Sequence, residues 1–271
     1  MSNEAIKIFL DGFSIEVTPR AAAKIDNFAE LIPKGTLIYI AHIEGTPIDE
    51  MVATAKKINE QGFSPMPHFP ARIIKDKNVL QDWISKYQNE ANVKNGLLIA
   101  GGANKPYGEY DSSIQLIESE LFDKADFQNL HIAGHPEGSM DIDPDGSTKN
   151  VDQALSWKNE FSKRTDAKMA ITTQFSFDAD SVIRWANNVK ESGIDIPIHI
   201  GIAGPAKLQT LLRYSIECGV GASIKIIQKR AMDLTKLLLP YKPTNIITEL
   251  ATHKANNLSL IHISEPTRPS V

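Results

Sequence analysis

Ser14-Ile-Glu-Val-Thr-Pro-Arg20 decides how the rest of the chain is read. A short apolar strand carries one glutamate, Glu16, and runs at once into Thr-Pro-Arg. Proline has no amide hydrogen to give to a central ladder, so the strand must stop shortly after Glu16. In a barrel of alternating strands and helices, a carboxyl group at a strand's C-terminal end sits where chemistry is done. Taken alone, a glutamate in that position reads more readily as a solvated loop residue. The remaining sequence shifts the balance.

Outward from that stretch, β-rich apolar runs alternate with helical periodicity. Strands are expected at Ile6–Val17, Thr36–His42, Ser64–Pro70, Gly96–Ala100, Leu130–Gly134, Lys168–Phe175 and Ile196–Ile202. Helices are expected at Pro47–Asn59 behind a Thr46 cap, and at Asn78–Glu90, Ser112–Leu121, Val151–Lys163, Ala179–Glu191 and Ala206–Cys218. Gly62, Gly193 and Gly219 stand where helices should end. Such alternation predicts a parallel sheet, and no Gly-x-Gly-x-x-Gly follows an early strand. The fold expected is α/β, a (β/α)8 TIM barrel, whose usual length suits this chain.

Its last strand is the difficulty. Ile224–Leu239 and Thr244–Lys254 read as helices, which leaves Leu258–Ser264 to close the barrel. The tail LSLIHISEPTRPSV differs in texture from the Lys- and Ile-rich chain before it and resembles a translated sequencing adaptor. The expectation is therefore one barrel domain over residues 1–257. Residues 258–271 are expected to be a non-native tail in place of the true eighth strand.

The chain has 271 residues, with 42% hydrophobic and 23% charged, which is ordinary for a globular protein. A formal charge of −4 and a pI near 6.0 give no support for nucleic-acid binding. The lone Cys218 excludes an internal disulfide and reads as a small core residue. The N-terminus lacks a secretory pattern and no apolar run reaches membrane-span length, so a cytoplasmic location is expected. Leu237-Leu238-Leu239 reads as a covered apolar face and leaves a homo-oligomer open.

Polar groups collect at the C-terminal ends of the expected strands: Glu16, His42, His68, Gly101-Gly102, His135, Gln174 and His199. Convergence of strand ends is how a barrel builds a site. Each also has a plain structural reading, and His42 and His199 read more readily as hydrogen-bonded core or rim histidines. Asn159 and Lys163, at i,i+4 spacing, could reach a phosphate or ribose.

Together these pieces resemble the methylenetetrahydrofolate reductase family, from about Phe13 to Gly219. Glu16 with Pro19-Arg20 is similar to the family's strand-1 segment, and Pro67-His68 to the Pro-His that ends strand 3. Leu98-Ile-Ala-Gly-Gly102 stands in place of the Leu-Arg-Gly-Asp loop, and Tyr110 in place of a flavin-contacting tyrosine. Gly134-His-Pro-Glu-Gly138 is similar to the Gly-Tyr-Pro-x-Gly turn. Asn159 and Lys163 match cofactor-binding residues before strand 6. Ala170-Ile-Thr-Thr-Gln-Phe175 resembles Ile-Thr-Gln-Phe, the most specific match, and Pro197–Leu208 resembles the strand-7 segment.

The resemblance implies a flavoenzyme of one-carbon metabolism, serving methionine biosynthesis. It would interconvert 5,10-methylenetetrahydrofolate and 5-methyltetrahydrofolate through FAD, with NAD(P)H as electron donor. Glu16 would be the general acid, and Gln174, Phe175 and Leu208 would bind folate. His68, Gly101, Gly102, Ala103, Tyr110, His135, Asn159 and Lys163 would hold the flavin; no metal is implied. The departures are Gly101 for an arginine, Ala103 for an aspartate, His135 for a tyrosine, Ser139 for a histidine and Leu208 for a stacking aromatic. Loss of the aspartate's charge should raise the flavin potential and favour methyltetrahydrofolate oxidation. Two rival readings stand beside this one. One is a metal-dependent barrel hydrolase using His42, His68, His135, His199 and Glu16; the other is a non-catalytic folate- or flavin-binding barrel.

Overall fold

The computed structural model describes residues 3–207, 209–212, 241–257 and 261–266. Leu208, Cys218, Gly219, Leu237-Leu238-Leu239, the helix expected over Ile224–Leu239 and most of that over Ala206–Cys218 lie outside those residues. The strands are β1 (Ser14–Val17), β2 (Leu37–Ile40), β3 (Ser64–Pro70), β4 (Asn95–Ile99), β5 (Asn129–Gly134), β6 (Lys168–Ser176), β7 (Ile198–Ile202) and β8 (Ile261–Pro266). They follow one another in chain order as a closed parallel barrel, so the fold class is (β/α)8. Helices between them include α1 (Asn3–Leu10), α2 (Pro19–Ala22), α3 (Ile48–Glu60), α4 (Lys77–Ala91), α5 (Ser113–Glu118), α6 (Leu121–Lys124), α7 (Lys149–Ser162), α8 (Ala179–Glu191) and α9 (Thr244–Asn257).

One expected strand is corrected. Ile6–Leu10 belongs to α1, and the strand begins only at Ser14. Ala5, Ile6 and Phe9 recur at helical spacing, and Phe9 is buried under the Lys254 ammonium, 5.8 Å from its ring centroid, where α1 packs on α9. Helix α3 starts one residue later than expected, with Pro47 rather than Thr46 at its cap. The segment left over for an eighth strand does pair, with Ile198 opposite Ile261 and Gly201 opposite Ser264.

The chain divides into two compact units. One contains residues 14–133 and 161–170, with β1 to β5. Here parallel registers put Ile15, Val17, Ile38, Ile40, Phe69 and Leu98 on one face, all 0–2% exposed. Phe69 meets Tyr87 of α4 and Phe122 of α6 edge-on at 5.4 and 5.0 Å. The opposite face carries Glu16, Tyr39, Met66, His68, Leu97 and His131, in register from strand to strand.

The other unit contains residues 1–13, 134–160 and 171–271. Its described core includes Ala203, Leu211 and Tyr241 with Phe175 and Phe177 packed on them. Between β6 and β7 the register shifts at Thr172–Phe175. Thr173 Oγ1 accepts from the Gly201 amide at 2.9 Å and donates to Gln174 O at 2.8 Å. A Cβ on Gly201 would lie 2.6 Å from Thr173 O and 2.9 Å from Gln174 C, so only glycine tolerates this bulge.

Candidate active site

In the β1–β5 unit, two expected residues come together. Glu16 Oε2 lies 3.4 Å from His68 Nε2; the carboxylate side chain is 38% exposed and the imidazole 11%. Tyr39, opposite Glu16 in register, sets its ring edge against His68 at 72° and 6.4 Å. The Tyr39 hydroxyl shares a 2.7 Å hydrogen bond with His131 Nδ1. Both are buried, beside Met66 and Leu97. Sequence reading missed Tyr39 and His131 because each sits inside an apolar run. The alternation that puts Glu16 and His68 on one face of their strands was the available signal.

The loop after β4 is held by a residue the sequence reading also passed over. Arg72 donates to Asp111 Oδ1 at 2.9 Å and to Ala103 O at 3.2 Å, while its backbone bonds Ala100 and Tyr107. Gly101 has φ +94°, and a Cβ there would stand 2.8 Å from Pro70 Cβ. Gly102 opens to free space, since a Cβ there would meet nothing within 4 Å. Ala103 and Tyr110 are buried; burial pushes the Tyr110 phenol above its ordinary pKa, with Glu109 and Asp76 adding to it. Lys163 is exposed, just past the end of α7.

His42 takes the structural reading. It stacks on Trp83 at 5.0 Å, and its Nε2 donates to Thr46 O at 3.0 Å. Burial lowers its pKa, the Thr46 bond opposes that, and the nearby His68 adds to the lowering. Among the described residues, no three His, Cys, Asp or Glu side chains are grouped to hold a metal ion. Nor is any described helix long and apolar enough to cross a membrane.

The second unit carries the remaining candidates. The bulge in β6 leaves Gln174 exposed, whereas Phe175 turns to the apolar cluster and meets Phe177 at 5.7 Å. Burial pushes the His135 imidazole down to about 4, with the charge of Lys158 acting the same way and Asp141 opposing. His135 is therefore neutral at physiological pH. From the same turn, Glu137 Oε1 accepts from Ser176 Oγ at 3.2 Å. Asn159 is buried and donates to Gly193 O at 3.5 Å. Lys158, beside it, is 6% exposed on the face of α7 that also buries Val151 and Leu155. Burial depresses its pKa to about 8. The sequence points instead to Lys163, through its i,i+4 spacing with Asn159 and its likeness to the family's cofactor-binding lysine.

Comparisons with known proteins place this geometry. A profile of the family described as methylenetetrahydrofolate reductase matches residues 43–231, well over half of the chain. The matched stretch begins after β1, so Glu16 lies upstream of it. Methylenetetrahydrofolate reductase 1 of Schizosaccharomyces pombe is 36% identical over 74 residues, covering 27% of this chain but only 11% of that protein. An uncharacterized protein from Clostridium thermocellum, described as binding two copies of 5-methyl-5,6,7,8-tetrahydrofolic acid, aligns over 98% of this chain and 92% of its own. The TM-score is 0.58 at 12% identity, a likeness of fold. With residues 43–231 matched, the chain belongs to the methylenetetrahydrofolate reductase family.

Proposed function

We propose that this chain interconverts 5,10-methylenetetrahydrofolate and 5-methyltetrahydrofolate by hydride transfer through FAD, with NAD(P)H as electron donor. The observation that carries the reading is Glu16: a part-exposed carboxylate at a strand's C-terminal end, 3.4 Å from a buried imidazole. It occurs in a chain whose family is generally flavin-dependent.

The β1–β5 unit fits a flavin edge. Gly102 leaves room for close approach of the backbone, and Ala103 brings no charge there. His68, Gly101, Gly102, Ala103 and Tyr110 would hold the ring system, and His135 would add a neutral imidazole. Lys163 would offer a point charge to a diphosphate. Asn159, bonded to Gly193, would fix the end of its helix beside that charge. FAD, when bound, supplies the chemistry of accepting and returning a hydride.

Glu16 protonates the ring nitrogen that leaves when the five-membered ring of the folate opens. Gln174, exposed by its bulge, bonds the pterin edge as donor and acceptor. Phe175 and Leu208 would contact the substrate, as the family resemblance implies. The absorption spectrum of the purified protein, followed by bleaching with NADH, NADPH or 5-methyltetrahydrofolate, tests the reading. Glu16→Gln should slow folate turnover about 10²–10⁴-fold while reduction of the flavin by the donor survives. Near-normal folate turnover by Glu16→Gln would remove Glu16 from the mechanism.

A second reading is folate binding without flavin chemistry. It is favoured by Ala103 in place of the family aspartate and by the fold neighbour described as holding two methyltetrahydrofolates. A colourless protein that binds 5-methyltetrahydrofolate and turns over with no donor would select it.

A further inference from the structure

We propose that His68 is the positioning residue of Glu16: its Nε2–H fixes which carboxyl oxygen carries the transferable proton and holds the carboxylate left behind. This rests on the reading of Glu16 as a general acid and assigns the imidazole a duty toward the acid itself.

The geometry is specific. His68 Nε2 is buried and makes no hydrogen bond, yet it stands 3.4 Å from Glu16 Oε2. Hydrogen bonds of this kind are commonly long before ligand binding and tighten in the complex. The imidazole has little freedom to turn elsewhere. Tyr39 lies edge-on to it, and the Tyr39 hydroxyl is itself tied to His131.

The chemistry follows from donor and acceptor counts. In the acid form of Glu16, the His68 Nε2–H engages Oε2 as acceptor. The proton then belongs to Oε1. Once Oε1–H has passed its proton to the folate nitrogen, the bond to Oε2 becomes charge-assisted and roughly twice as strong. The interaction is therefore stronger after transfer than before it, and it speeds the step as well as orienting the group. His68 neither gains nor loses a proton.

A double-mutant cycle on folate turnover tests this, using His68→Phe, His68→Gln and Glu16→Gln. His68→Phe should lower turnover about 10–100-fold, as loss of one charge-assisted hydrogen bond does. With FAD saturating, so that the flavin contact of His68 does not enter, the loss should fall to less than about threefold in the Glu16→Gln background. His68→Gln, whose amide can donate from nearly the same place, should recover most of the rate. Equal losses in both backgrounds would overturn the proposal, as would a failure of His68→Gln to improve on His68→Phe.

A second measurement needs no turnover. The ¹⁵N resonance of His68 Nε2 should move on Glu16→Gln in the ligand-free protein, and an unmoved resonance would also overturn the pairing. If the wild type shows the NMR coupling but no folate turnover, the reductase reading fails while the contact between the two residues stands.

Discussion

Lys158→Met should stabilise this protein, and the size of the gain can be worked from the structure. Lys158 is 6% exposed, and burial lowers its pKa from 10.5 to about 8. Each pKa unit is worth about 1.4 kcal/mol, so keeping the folded lysine charged costs about 3 kcal/mol at neutral pH. The sign follows from proton counts. Between pH 8 and 10.5 the unfolded chain binds more protons than the folded one, so stability rises with pH across that window. Methionine has similar length and no charge, so it removes the penalty without opening a cavity.

Chemical denaturation at pH 7 should show Lys158→Met more stable by about 3 kcal/mol, or about 6–12 °C in Tm for a chain of roughly this size. The advantage should shrink steadily above pH 8 and be gone near pH 10.5. His135, relieved of a neighbouring positive charge, should titrate higher in the variant than its present value of about 4. A variant less stable than the parent at pH 7, or a difference that stays flat with pH, would refute the argument.

Two further perturbations follow from single contacts. Tyr39→Phe deletes the 2.7 Å bond to His131 inside a dry face and should cost about 1–3 kcal/mol in chemical denaturation. A change under a few tenths of a kcal/mol would show that bond to be dispensable. Gly201→Ala places a Cβ 2.6 Å from Thr173 O, where backbone cannot yield cheaply, and should cost about 1–3 kcal/mol. By displacing the bulge it should also weaken 5-methyltetrahydrofolate binding in calorimetry. An undisturbed affinity would separate Gln174 from the ligand.

Much of the architecture was legible because it rests on periodicity. The expected bounds Ser64–Pro70 and Ala179–Glu191 are those of the structure, since proline, glycine and a switch of apolar period mark their ends. Ile6–Leu10 was misread because a short apolar run fits strand or helix alike, and only its packing on α9 decides. Polar residues that interrupt strand ends stand out in the sequence, and strand alternation puts two of them, Glu16 and His68, within 3.4 Å of each other. The site was illegible where the informative residue looks ordinary. Arg72 resembles any surface arginine until its guanidinium is seen spanning Ala103 and Asp111.

By itself the sequence determined most of the order of strands and helices and the parallel sheet, because hydrophobic period and turn chemistry are local properties; the family rests on its motifs and on the match over residues 43–231. Tertiary structure alone decided that Glu16 stands 3.4 Å from His68, that Tyr39 is tied to His131, and that Lys158 rather than Lys163 is buried. The physical reason is register. Which side chains of neighbouring strands share a face depends on how the strands slide past one another, and no residue's immediate neighbours record that.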